Sequence, residues 1–438
     1  MGGRNHLHSQ RRAALKRGAC VAAAAGGLLV GLSTTASSAA TRAHTSSTVT
    51  LKFWNAYNTT DKEASTIANV IIPKFEKENP GIKVDSVVIP YSDLLTKFLA
   101  AAAAGNPPDL MRSDIAWVPQ LASEGVLADL SGQKWFEQLA KGALPGPLST
   151  NKYQGSYYGI PDDTNTQAMF WNKALFAQAG LSGPPTTLAQ MFRDAAKLTN
   201  KAKGQYGMCV DGTDIWNVSP WVWSNGGSFT NNGLTSATGH MDGHATQSAL
   251  QRLINLYNAG DICPAFAGGA GATSGEAGFP ENQDAFYISG PWMASTYNAL
   301  KPKPDYGIAL FPKGHHGSVS VVGGEDIVLA KGGKNPADSA KFAEFLASPF
   351  AQLAMAKQGD MAAYKTDAAG EVAATPYYKV FAEQLQTAKA RPVTPAYTKL
   401  DGFFSSSLQQ AIDGKLSLST ALAAAAEQTN QALAAAGH

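Results

Sequence analysis

The chain is 438 residues long, 44% hydrophobic and 16% charged. It is too long for one ordinary core, and its composition excludes collagen-like and disordered classes. The formal charge of +2 conceals a basic leader: residues 1–40 hold Arg4, Arg11, Arg12, Lys16 and Arg17 and no acid, leaving 30 basic against 33 acidic residues in the body. A weakly acidic body excludes an electrostatic case for binding nucleic acid or anionic membrane.

The first 40 residues predict an export signal. A basic segment is followed by a short apolar run at 21–32 and small residues ending at Ser38-Ala39-Ala40. Arg11-Arg12 ahead of Ala-Ala-Leu-Lys resembles a twin-arginine signal, with Ala14 at a position that usually holds Phe, although an ordinary secretory leader with two adjacent arginines fits as well. The apolar run is too short to span a bilayer. Cys20 precedes that run rather than closing it, which argues against a lipidated anchor. Beyond the leader only Cys209 and Cys263 remain. In an exported chain these either pair, for about 4 kcal/mol by loop-closure entropy, or stay as two buried thiols.

From Thr48 strands and helices alternate. "VTLKFWN" predicts a strand, "DKEASTIANVIIPKFEKEN" an amphipathic helix closed by Pro80-Gly81, "IKVDSVVIP" a strand, "SDLLTKFLAAAAAG" a helix, "PPDLMRS" a strand and "IAWVPQLASEG" a helix. This β-α-β-α-β order is that of a parallel sheet with crossover helices. The segment "YQGSYYGIPDDTNTQAMFWN" brings aromatic-rich strands, and "TTLAQMFRDAAKLTN" a further helix. Residues 204–235 are rich in Gly, Trp and Asn and show little periodicity, strand signals return at 306–311 and 319–330, and the last hundred residues read as helical. Without a linker or internal repeat, two cores imply lobes joined by several crossing strands.

Catalytic signatures are sparse. The adjacent pairs Asp162-Asp163 and Glu325-Asp326 predict carboxylates on opposite faces of extended chain, which cannot form the facing dyad of a glycosidase, although carboxylates distant in sequence can still converge. There is no G-x-S-x-G elbow. The histidine pairs in "GHMDGH" and "GHHGS" lie among glycines without metal-ligand spacing, and "AGGAGATSGEAG" lacks the Lys-Ser/Thr of a phosphate loop. What stands out is aromatic residues beside amides and carboxylates at strand ends. A flat indole covers the C–H face of a sugar ring while Asp, Asn and Glu take its in-plane hydroxyls. Phosphate would instead call for Arg clusters, and this pattern is poor in Arg. Trp117, Trp135 and Trp223 fit helical packing positions instead.

Several segments resemble, in order and spacing, the extracellular solute-binding proteins that deliver sugars to ABC importers, in their maltose/multi-sugar branch (family 1). "YGIPDDTNTQAMFWNKALFAQAGL" is similar to the lobe-crossing segment, "WVWSNGGSF" to the Gly-Gly after the middle helix, and "FYISGPWMAS" to the Ser/Gly-Pro-Trp strand end. "VVGGEDIVLAKGGKNPADSAKFAEFLASPFAQ" resembles the return strand and its helix, and "ARPVTPAYTKLDGFFSSSLQQAIDGKLSLSTALAAAAEQTN" the helical tail. The family usually has Pro after Gly near the tail, where this chain has "GDMAAYK".

The resemblance implies an α/β, two-lobe periplasmic-binding-protein-like fold of type II, its lobes joined by crossing hinge strands. Residues 48–162 plus 303–355 would form lobe 1, and 163–302 plus 356–438 lobe 2. Ligand would bind between the lobes at Asn55, Tyr57, Asp114, Asp163, Asn165, Trp216, Trp292, Gly324 and Glu325, with Arg391 and Tyr364 as further late-chain positions not assigned to the site. The implied role is a non-enzymatic, exported monomer at the outer face of the cytoplasmic membrane. It would take a carbohydrate, need no cofactor or metal, and hand the sugar to permease transmembrane subunits, reaching the ATPase subunit only indirectly. The alternatives are an exported glycoside hydrolase and a binding protein for a non-sugar polyol.

Overall fold

The first sheet of the protein, seen in a computed structural model, has the strand order Ile82–Val88, Val49–Asn55, Leu110–Asp114, Glu325–Leu329, Gly159–Pro161. The described residues are 48–437 except Asp61, Ala270, Thr366, Ala368, Ala369 and 371–374, so the predicted leader at 1–40 lies outside them. The first three strands run parallel, with Val49 opposite Ile82 and Phe53 opposite Leu110. Glu325–Leu329 runs against them, with Glu325 opposite Asp114, and Gly159–Pro161 pairs antiparallel with it, Ile327 opposite Ile160, so that it runs with the first three. Side chains alternate across the sheet. Phe53, Leu110 and Ile327 enter a core with Phe75 and Phe342, whereas Met111 and Val328 enter one with Phe98 and Trp117 on the other face. Both faces are covered by helices, which explains the near-continuous apolar strands.

The amphipathic segment after the first strand is one helical run with a defect. Glu63–Thr66 is α-helical, Ile67–Ile71 is a wide π turn, and Ile72–Glu78 is α-helical again. Pro73 lacks an N–H, and its ring would crowd the carbonyl four residues earlier, so the widened turn accommodates it.

The second sheet has the order Tyr306–Ala309, Ala168–Asn172, Asp284–Ser289, Tyr206–Cys209. It is buried in the largest core, shared with the C-terminal helices Tyr397–Ile412 and Leu418–Ala435. Tyr306–Ala309 pairs with Ala168–Asn172 here, although the sequence division groups residue 303 onward with the first sheet. Cys209 and Cys263 form a disulfide that ties the edge strand to the end of a 54-residue loop.

A third, small sheet connects the other two: Met361–Ala362, Asp163–Thr166, Val321–Gly323, Lys389–Ala390. The chain passes from Pro161 in the first sheet through Asp163–Thr166 to Ala168 in the second, and returns through Val321–Gly323 to Glu325 in the first. Two lobes joined by crossing strands result, as two cores without a linker predict.

Candidate functional site between the lobes

At the carboxyl end of Asp284–Ser289 the chain breaks at Gly290-Pro291, and Trp292 opens the helix Trp292–Ala299. The indole folds back over its own strand end: a Cβ on Gly290 would lie 1.9 Å from the ring. Only a glycine lets the ring lie there. Trp216 is set similarly, in the first turn of Ile215–Ser224, whose N-terminus is capped by the Asp214 carboxylate accepting from the Asn217 amide at 3.1 Å. A Cβ on Gly323 would meet the Trp216 ring at 2.7 Å and Asn165 Oδ1 at 2.1 Å. Both indoles are partly exposed. Their centroids are 6.3 Å apart and their planes 26° from parallel. A sugar ring inserted between them would need about 7 Å between planes, twice the aromatic contact spacing. The two rings therefore form one continuous wall rather than a slot.

This wall closes one side of a cleft of about 420 Å³, which also takes in Asp114, Asn165, Gly324 and Glu325. Six of the nine sequence-predicted residues thus line a single cavity. Asn55, Tyr57 and Asp163 do not. Asn55 is fully buried, donating to Ser86 Oγ at 2.9 Å and accepting from the Tyr57 amide. Tyr57 lies beneath the Arg112 guanidinium, 4.3 Å from ring centroid to Cζ, and donates its hydroxyl to Asp162 at 3.0 Å. Asp163 accepts from Arg112 at 2.5 Å behind the cleft surface.

Arg112 is the organising cation that the sequence pattern does not reveal. It is 5% exposed, and its guanidinium donates to Asp162 at 2.8 Å, Asp163 at 2.5 Å, Glu325 at 3.0 Å and Asp360 at 3.3 Å. Asp162 and Asp163 therefore converge on one partner instead of facing apart, because the chain turns between Gly159–Pro161 and Asp163–Thr166. Glu325 and Asp326 do face apart: Asp326 is buried against Asn151 at 2.7 Å and Thr150. Burial raises the carboxyl of Asp163 well above its usual range, with the neighbouring Glu325 adding to it and Arg112 opposing. Burial likewise raises Asp360, reinforced by Glu63 and Glu325.

Arg391 lines the cleft as well. It donates to Asp114 at 2.7 Å and lies 5.5 Å from the Trp216 and 5.4 Å from the Tyr397 centroids. Asp114 also accepts from Tyr91 at 2.6 Å. The cleft is thus not poor in Arg: two of the chain's arginines line it, each held by carboxylates. Tyr364 is buried and donates to the Pro161 carbonyl, away from the cleft. Trp117, Trp135 and Trp223 pack in cores. Among the described residues Cys209, Cys263 and Asp284 bring ligand-type atoms within 4.8 Å of one another, but both sulfurs are committed to the disulfide and cannot hold a metal.

The bacterial extracellular solute-binding protein family matches residues 58–353. A binding protein of Brucella abortus (strain 2308) is 27% identical over 363 residues, covering 78% of this chain and 83% of that protein. The diacetylchitobiose-binding protein DasA of Streptomyces coelicolor is 24% identical over 303 residues, covering 67% of this chain and 65% of its own length. The GacH receptor of Streptomyces glaucescens, solved unliganded and with acarbose, superposes with a TM-score of 0.80 at 25% identity, covering 88% of this chain and 99% of that one.

Proposed function

Since the chain belongs to the bacterial extracellular solute-binding protein family, we propose that it captures a sugar or short oligosaccharide between its lobes and delivers it to the transmembrane subunits of an ABC importer. The observation that carries this reading is the tryptophan wall facing amide and carboxylate acceptors. Trp292 and Trp216 offer a flat apolar face, and Asn165, Asp114 and Glu325 surround it with groups that take hydroxyls. These groups come from both lobes: Asp114 ends one first-sheet strand and Glu325 begins its neighbour, Asn165 lies in the connecting sheet, and Trp216 and Trp292 pack on the core of the second sheet. A ligand held by all of them stabilises one relative position of the lobes through contacts it makes only there.

We assign Asp114, Asn165, Trp216, Trp292, Gly324 and Glu325 to direct contact. Asn55, Tyr57 and Asp163 act one layer behind the lining, Tyr57 and Asp163 by holding Arg112 and Asn55 by its bond to Ser86. The lobes we assign are residues 48–162 with 325–355, and 168–309 with the helical tail. The protein acts without catalysis, as an exported monomer at the outer face of the cytoplasmic membrane. The carboxylates around Arg112 support that absence of chemistry, being engaged in ion pairs rather than flanking a gap that would hold a glycosidic bond and water.

A thermal-shift screen across mono-, di- and oligosaccharides tests the reading, with each sugar recovered afterwards. A saccharide should raise the melting temperature in proportion to ln(1 + [L]/Kd) and be returned intact. Cleaved product would instead support the glycosidase alternative.

A further inference from the structure

The charge in the cleft is out of balance. Glu63, Asp114, Asp214, Glu325 and Asp360 line it against Arg112 and Arg391. Neither arginine is available to a ligand as an unopposed cation. Arg391 is paired with Asp114, and Arg112 is shared by four carboxylates, two of which lie outside the lining. One guanidinium cannot neutralise four carboxylates in a dry site, so the surplus is negative.

Two residues of the lining each carry a buried acceptor atom without a partner. Asp360 is 9% exposed and its Oδ2 has no partner; Asn165 is 7% exposed and its Oδ1 has none. Both residues line the cleft. Leaving buried acceptors unsatisfied is costly, and a donor brought by a ligand would relieve it. One buried donor, Arg391 Nε, is likewise unpartnered and suits a ligand hydroxyl. The adjoining indole faces are electron-rich and attract cations as well as C–H groups.

We propose that the ligand is an amine-bearing sugar, whose ammonium lies beside Asp360 and Glu325 while its ring covers the Trp292–Trp216 wall. This inference rests on the sugar reading above and narrows it. The ammonium supplies charge and hydrogen-bond donors together, which a neutral hydroxyl does not. The groups facing Asp360 are Glu63, Arg112, Asp162 and Glu325, with the Tyr57 ring under Arg112.

The test is calorimetric titration at pH 7 with matched pairs. Glucosamine, galactosamine, mannosamine and the β-1,4-linked glucosamine dimer are compared with the same sugars carrying hydroxyl or N-acetyl in place of the amine. In any pair that binds, the amine member should bind at least tenfold more tightly. Its preference should shrink to below threefold in Asp360→Asn or, should that variant misfold, in Glu325→Gln. A hydroxyl or N-acetyl sugar that binds as tightly as its amine counterpart would overturn this inference and leave the sugar reading standing. Binding by no member of the panel would count against both.

Discussion

Arg112 decides how the cleft wall holds together. Arg112, 5% exposed among Asp162, Asp163, Glu325 and Asp360, is the one cation among the described residues paired with those carboxylates, and it lets them be buried side by side. Removing one partner of a buried pair costs about 3–5 kcal/mol, because the charges left behind remain uncompensated. Arg112→Met should therefore lose about that much stability in chemical denaturation at pH 7, and a loss under about 1 kcal/mol would show that the wall does not depend on it. Asp284 gives a second handle. Burial, with Asp211 nearby, raises its carboxyl from 3.8 to about 8. A raised acid binds more protons folded than unfolded between those values, so its contribution is intact below about 4 and is lost as the pH climbs toward 8. The protein should melt at a lower temperature at pH 8 than at pH 5, and Asp284→Asn should narrow that gap. An unchanged gap would place the pH dependence elsewhere. Neither residue stands out in the sequence. Arg112 is a lone cation in an apolar strand, and what it neutralises arrives from residues 50 to 248 positions away.

Among elements, the three parallel strands of the first sheet are the most legible, because they alternate with helices of clear apolar periodicity. The helix Ile215–Ser224 is not, for two reasons. Pro220 interrupts it and frees the Trp216 carbonyl, which accepts from Ser219 Oγ at 3.5 Å, and eight of its ten residues are buried, so no polar face sets a period. The strand ends of the connecting sheet were legible by composition alone: Asp163-Thr164-Asn165-Thr166 is a polar, fully buried strand that makes sense only against the crossing backbone. The disulfide belongs to this scale too, since it fastens the edge strand Tyr206–Cys209 to the chain after the helix His244–Asn258. Closing a loop of 54 residues restricts the unfolded chain by about 4 kcal/mol. The double variant Cys209→Ser/Cys263→Ser should show a correspondingly lower urea midpoint with the same ligand affinity. An unchanged midpoint would mean that the unfolded chain is already confined without the bond.

At the scale of the whole molecule, the path of the chain explains why a cleft exists at all. Each lobe has its own core, and the backbone crosses between them through Asp163–Thr166 and Val321–Gly323. Residues at those crossings and at the strand ends beside them face the same space, although they are scattered from Ala56 to Arg391 along the chain. That is why aromatic and carboxylate strand ends could be picked out from composition, while the choice between contact and support could not: Asn55 and Asp163 differ from Asp114 and Asn165 only in which way the folded chain turns them. The central claim is that the Trp292–Trp216 wall is the platform for a sugar. Calorimetric titration of the best-binding saccharide into the protein and into Trp292→Ala tests it directly. A hot-spot aromatic contributes about 2 kcal/mol or more, so the variant should bind roughly thirtyfold more weakly or worse while keeping its melting temperature without ligand within a few degrees. Equal affinity in the two proteins would contradict the account.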